Sequence, residues 1–67
     1  MKLIDLLKVL DPSTVLVICY AGFGQRMYEG NIEDIPTHMY NYYVTYVSHN
    51  RYKMYIEVHE NKGFLED

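Results

Sequence analysis

The chain lacks the features that usually stabilise or localise a very small protein. It has one cysteine among 67 residues, so no internal disulfide can form. Its cysteine and histidines show no spacing typical of a structural zinc site. No apolar run is long enough to span a membrane, and Met1-Lys2-Leu3 is not followed by a signal-peptide core. We therefore expect one soluble, cytoplasmic domain without metal or cofactor.

Neither sign of charge is in large excess, because the net charge is only −3. This negative value argues against a nucleic-acid backbone as the main partner, and it is too small to suggest a mimic of DNA. A chain this short buries a modest fraction of its surface, and small domains often gain stability from a second subunit. We therefore predict a homo-oligomer, most simply a dimer.

Two apolar segments open the chain. Four leucines share one face of a predicted helix, which Pro12 brings to an end: Leu3, Leu6, Leu7 and Leu10. The run from Thr14 to Tyr20 is short and β-branched, which predicts a buried central strand with Cys19 as a structural thiol. The glycines on either side of Phe23 lack the Lys-Ser/Thr of a phosphate-binding loop, so they predict a hairpin loop that exposes Phe23.

These patterns predict a single α+β domain. Its N-terminal helix packs on a small, curved, four-stranded antiparallel sheet, and an SH3-like or Sm-like barrel is compatible with the pattern. The predicted elements are a helix over 2–10, strands over about 14–20, 25–32, 42–48 and 53–59, and a short helical turn over 36–41.

The second half of the chain is rich in tyrosine, with six of the eight tyrosines between positions 40 and 55. Apolar and polar residues alternate over 53–59, but the run over 42–48 is apolar on both faces. A two-residue loop at Asn50-Arg51, or a four-residue loop over 49–52, places Tyr46 opposite Tyr55. A three-residue loop exchanges the faces of the first run. The missing glycine at Asn50-Arg51 favours the four-residue loop.

That register divides the hairpin into two faces. The predicted core face carries Tyr43, Thr45, Val47, Met54, Ile56 and Val58. The opposite face carries Tyr42, Val44, Tyr46 and Tyr55. Tyrosine is enriched at protein interfaces, so we interpret the second set as a contact platform, with Phe23 as a further exposed ring. The alternative is that these tyrosines fill a small core and its rim.

Catalysis is not expected. His38, His49 and His59 lie on different predicted elements, and no spacing brings them together. No serine or cysteine has an evident base beside it. We therefore predict a protein that is not an enzyme.

Several short stretches together resemble small accessory proteins of bacteriophages and prophages in Gram-positive bacteria. The stretches are MKLIDLL at the start, Asp11 with Thr14-Val15 and Val17, Tyr28-Glu29-Gly30, Asp34-Ile35-Pro36, and Val44 with Val47. The resemblance implies an accessory role and no catalytic residue. Such small phage proteins include inhibitors of CRISPR nucleases and sponges for nucleotide immune signals.

The leading functional hypothesis is a non-catalytic, phage-type binding protein that inhibits a host defence protein through the tyrosine face. The alternative is a small-ligand binder, such as a nucleotide-signal sponge built at a subunit interface. A third hypothesis, a nucleic-acid accessory protein, fits the negative charge poorly.

Overall fold

The computed structural model describes residues 1–22 and 24–60. A short helix is followed by two strands, two 3-10 segments and two further strands. The elements are α1 (Leu3–Leu7), β1 (Val15–Tyr20), β2 (Gln25–Asn31), 3-10 segments at Ile32–Asp34 and Thr37–Asn41, β3 (Tyr43–His49) and β4 (Met54–His59).

The four strands form one mixed sheet in the order β2-β1-β4-β3. The β1–β2 and β3–β4 pairs are antiparallel, whereas the central β1–β4 pair is parallel. After β2 the chain therefore crosses through the 3-10 segments to the opposite edge, as a parallel pair requires. The α+β class is confirmed, but the purely antiparallel sheet is wrong. The barrel is wrong as well, because the sheet is open within the described part of the chain.

The helix is shorter than the leucine pattern predicts. It ends at Leu7 because the next backbone amides bond three residues back instead of four: Val9 N donates to Leu6 O (3.1 Å) and Leu10 N to Leu7 O (3.4 Å). This tighter turn rotates Val9 outward, where it is 78% exposed. Leu10 still packs against the core, so all four leucines of the predicted face contact it, although Leu10 lies beyond the end of the α-helix.

One face of the sheet carries the core. Alternate residues of the two central strands point to it, and α1 and the segment around the second 3-10 turn close over it. We call this the covered face. Its buried side chains are Leu3, Leu7, Leu16, Ile18, Ile35, Met39, Ile56 and Val58.

The β3–β4 hairpin has a four-residue loop, but the loop spans 50–53 and not 49–52. Asn50 fixes this position, because its Oδ1 accepts hydrogen bonds from Tyr52 N (2.8 Å) and Lys53 N (2.9 Å). The pairing moves by two residues, so that Val47 lies opposite Ile56 and Ser48 opposite Tyr55. A shift of two keeps each side chain of this part of β3 on its predicted face.

A bulge at Thr45 then exchanges the faces in the first part of β3. Thr45 has no Cα partner in β4, and its hydroxyl donates to Glu57 O at 3.2 Å. Before the bulge, Val44 pairs with Val58 on the covered face, and Tyr43 is turned to the other side. The prediction that Tyr43 lies in the core and Val44 outside it is therefore wrong.

Candidate functional site

The face of the sheet opposite the core has no described helical segment packed on it. The apolar residues of α1 and of both 3-10 segments that pack inward all join the core cluster on the covered face. We call the opposite side the open face. By strand pairing it carries Val17, Cys19, Glu29, Tyr43, Tyr46, Tyr55 and Glu57.

Two of the predicted platform tyrosines lie on this open face. Tyr46 is on edge strand β3 and is 56% exposed, while Tyr55 on β4 is half-buried. Tyr46 pairs with Glu57 and Tyr55 with Ser48, so the two rings are diagonal neighbours and do not lie directly opposite. Diagonal positions are about 7–8 Å apart, within reach of aromatic side chains. Tyr55 Oη also accepts a hydrogen bond from Asn50 Nδ2 (3.4 Å).

The other predicted platform residues are not part of the open face. Tyr42 and Val44 pack against the core cluster, because the Thr45 bulge turns the start of β3 over. Tyr42 also accepts a backbone hydrogen bond from Leu3 N (2.8 Å), which ties it to the start of α1. Phe23 lies outside the described residues. The structure therefore brings together Tyr46 and Tyr55 from the predicted set and separates them from Tyr42 and Val44.

Tyr43 is the residue that sequence reasoning missed on this face. It pairs with His59 on β4 and with Lys2 in an isolated antiparallel bridge at the outer edge. Lys2 Nζ lies 5.9 Å from the centre of the Tyr43 ring, a cation–π contact at a solvent-accessible site. Only the bulge reveals this placement, and nothing in the alternation of 42–48 marks the position of the bulge.

A row of charged side chains crosses the open face next to Tyr55. Glu29 on β2 forms ion pairs with Arg26 (2.9 Å) and with Lys53, which lies next to β4. Because β1 lies between β2 and β4, the Glu29–Lys53 bridge passes over β1. Val17 pairs with Glu29 on one side and Tyr55 on the other, and it is only 1% exposed.

This ion pair perturbs the Glu29 carboxylate. The hydrogen bond from Lys53 and its positive charge lower the pKa of Glu29, with a smaller contribution from Arg26 and partial opposition from desolvation. Glu29 therefore stays ionised, and its charge is largely matched within the protein. Among the residues that the structure describes, Tyr43 and Tyr46, which lie further along the open face, have no such ion pair beside them.

The three histidines occupy separate places. His38 lies in the second 3-10 segment with its ring 6.2 Å from that of Tyr42, His49 ends β3, and the His59 ring is 5.1 Å from that of Tyr20. Among residues 1–22 and 24–60, no three His, Cys, Asp or Glu side chains come close enough to hold a metal ion.

No protein-family model, curated protein or solved structure matches the chain. No helix in the described part of the chain has the length and apolar character needed to cross a membrane.

Proposed function

We propose that the chain is a non-catalytic binding module that docks onto a protein partner through the tyrosines of its open face, Tyr43, Tyr46 and Tyr55. The observation that carries this proposal is the exposed ring of Tyr46, next to Tyr55, on a sheet face without a described helical cover. Tyrosine contributes a large, rigid contact area together with a hydrogen-bonding hydroxyl, which explains its enrichment at interfaces.

A host defence protein is the partner class we propose. The resemblance to small phage accessory proteins supports this class, and the net charge of −3 favours a protein surface over a nucleic-acid backbone. Binding by Tyr43, Tyr46 and Tyr55 would place an acidic residue, Glu57, at the centre of the contact. We therefore expect the partner to present a basic side chain amid an apolar surface.

The first test is partner capture with two matched tyrosine variants. The tagged protein is used to capture proteins from lysate of its native host, and the captured protein is identified, purified and titrated by calorimetry. Tyr46→Ala should weaken binding by about 30-fold, equivalent to about 2 kcal/mol at an interface hot spot. The control, Tyr52→Ala, also removes an exposed tyrosine but lies in the hairpin loop, and it should bind as the wild type does. Equal affinity of Tyr46→Ala and wild type would refute the proposed surface.

We also propose that the protein forms a homodimer. The outer edge of β3 has no neighbouring strand beyond the single Lys2–Tyr43 bridge in the described chain, and such edges favour pairing with another strand. Exposed Tyr46 and Val47 extend the apolar area at this edge. Sedimentation velocity should show a mass twice the 8.0 kDa of one chain. A concentration-independent mass of one chain would rule out the dimer.

The absence of catalysis is part of the same proposal. The separate positions of His38, His49 and His59 support it, because general acid–base chemistry needs such groups within hydrogen-bond reach of one substrate. Any turnover found with the purified protein should persist in the three single histidine-to-alanine variants. A turnover that one of these substitutions abolishes would overturn the non-catalytic assignment.

A further inference from the structure

A cleft of about 450 Å³ lies at the hairpin end of the sheet, away from the exposed ring of Tyr46. Its walls come from two stretches that are distant in sequence, 13–15 at the start of β1 and 49–54 around the β3–β4 loop. The parallel β1–β4 pair brings them together, because Leu16 lies opposite Met54. Small-molecule sites have volumes of about 300–1,000 Å³, so the cleft is large enough for such a ligand.

The cleft carries positive charge in a chain whose net charge is −3. Its charged lining residues are Arg51 and Lys53, and none of the lining residues is an aspartate or glutamate. Lys53 is paired with Glu29, whereas Arg51 has no ion-pair partner among the described residues. The guanidinium of Arg51 is therefore available for an external anion, for which its planar array of donors is well suited.

Asp11, which lies two residues before the lining residue Ser13, is also held by local hydrogen bonds. Asp11 Oδ1 accepts hydrogen bonds from Ser13 N (2.8 Å) and Ser13 Oγ (2.7 Å). These bonds keep the pKa of Asp11 below its ordinary value, so the group is ionised and already solvated by the backbone. Asp11 is not among the lining residues, and the positive charge of the cleft is not neutralised from within it.

An exposed aromatic residue also lines the cleft. Tyr52 is 76% exposed, the highest value among the tyrosines of the open face and the loop. Its backbone is nevertheless fixed, because Tyr52 N donates to Asn50 Oδ1 and Asn50 N donates to Lys53 O (2.9 Å). Val15 and Met54 supply apolar lining beside it. The flat ring of a ligand can stack on an exposed tyrosine whose backbone is held in this way.

We propose that this cleft binds a small organic anion that joins a phosphate group to a flat ring, as a nucleoside monophosphate does. Arg51 contacts the anionic oxygens, and the ring of Tyr52 stacks on the ring of the ligand. The inference is independent of protein docking by the open face, because neither Arg51 nor Tyr52 belongs to that face.

The test is an NMR titration of the full chain with the 5′-monophosphates of adenosine, guanosine, cytidine and uridine. Uncharged adenosine and inorganic phosphate are titrated separately, to distinguish stacking alone and charge alone. We expect at least one nucleotide to shift the amide signals of 13–15 and 49–54. Adenosine and phosphate should each bind at least about tenfold more weakly than that nucleotide, because each lacks one of the two contacts.

Three variants make the assignment specific. Arg51→Gln and Tyr52→Ala should each weaken nucleotide binding by about tenfold, and both residues are exposed, so the fold should persist. Lys2→Gln is the charge-matched control, because Lys2 lies beside Tyr43, about 20 Å along β3 from the loop. It should leave the affinity unchanged. The proposal is wrong if no nucleotide shifts the cleft signals, if phosphate binds as tightly as the nucleotides, or if Lys2→Gln weakens binding as much as Arg51→Gln.

Discussion

The covered and open faces of the sheet differ in what holds their side chains in place. On the covered face, Ile18, Ile56 and Val58 are completely buried and belong to the hydrophobic core cluster. On the open face, Val17 is the one comparable side chain among the described residues, and charged and aromatic neighbours enclose it. The same four strands thus support a hydrophobic core on one side and a polar, tyrosine-bearing surface on the other.

This difference separates the side chains that fold the chain from those of the proposed contact surface. The apolar surface that a 67-residue chain can bury is small, and here nearly all of it is collected on one face. The open face then has side chains whose removal costs the fold little. Substitutions should therefore separate into two groups according to the face they change.

The largest effect is expected in the centre of the covered face. Ile56→Ala should lower the free energy of unfolding by about 2–5 kcal/mol, because it leaves a cavity beside Ile18. Val47→Ala is the control, since Val47 is the cross-strand partner of Ile56 but is 42% exposed on the edge strand. Urea unfolding followed by circular dichroism measures both. Similar losses in the two variants would mean that the core does not lie where the pairing places it.

A smaller loss is expected at the edge of the covered face. Gly30 has a φ of +153°, and an added Cβ would lie 2.9 Å from Tyr28 Oη, which donates to Asn31 O at 2.6 Å. Burial, together with the Asp34 carboxylate, also raises the pKa of Tyr28. Gly30→Ala should therefore cost about 1–3 kcal/mol in unfolding free energy, from backbone strain and loss of this hydrogen bond.

Gly22→Ala is the matched control for that substitution. Gly22 also has a positive φ, +87°, but an added Cβ would meet nothing within 4 Å. The Gly22→Ala variant reports the cost of backbone strain alone, so Gly30→Ala should be the more destabilising of the two in the same urea experiment. If Gly22→Ala costs as much, the contact with Tyr28 is not significant.

The smallest effect on stability is expected from the charged row of the open face. The folded-state pKa of Glu29 is lowered below its ordinary value of 4.5. Its ion pair therefore stabilises the folded protein above that value, and this contribution is lost as the pH falls through the folded-state pKa. Glu29→Gln should reduce stability at pH 7, and the difference from wild type should shrink below pH 4.5.

Glu33→Gln provides the reference for this pH series. Glu33 is exposed in the first 3-10 segment and forms no ion pair with a described residue. The stability of the Glu33→Gln variant should follow that of the wild type across the same pH range. A Glu29→Gln difference that stays constant between pH 7 and pH 3 would show that the Glu29–Lys53 bridge does not contribute through its charge.

The sequence predicts the parts of the fold that depend on local alternation. The period-two pattern of Met54, Ile56 and Val58 places all three on the core side, and these residues do pack in or against the core. The continuous apolar run of β1 predicts a buried central strand, and β1 is central with Leu16, Val17 and Ile18 all buried. Each inference needs only the residues of one strand.

The partners of each strand are not encoded locally, and the errors begin there. β1 and β4 both obtain central positions because they lie side by side, and they pair in parallel. The sequence pattern predicts two successive hairpins but does not indicate which strand of one hairpin lies next to which strand of the other. The Glu29–Lys53 bridge and the cleft lined by Arg51 both depend on it, so neither could be predicted from spacing along the chain.

The tyrosine platform was partly predictable for the same reason. Beyond the bulge, the hydrogen-bonding pattern of Asn50 shifts the register by two residues and leaves Tyr46 and Tyr55 on the expected side. Before it, one unpaired residue, Thr45, moves Tyr43 to the open face and Val44 to the covered face. Threonine is common in regular strands, so its presence does not indicate a bulge.

The most direct test of this division compares two tyrosines on either side of the bulge. Tyr42 packs against the core and Tyr46 is exposed on the open face, yet they are four positions apart on the same stretch of chain. Tyr42→Ala should lower the free energy of unfolding in urea by about 2–3 kcal/mol, and Tyr46→Ala by no more than about 0.5 kcal/mol. If Tyr46→Ala is the more destabilising of the two, the tyrosines are assigned to the wrong faces, and the contact surface proposed on the open face is wrong as well.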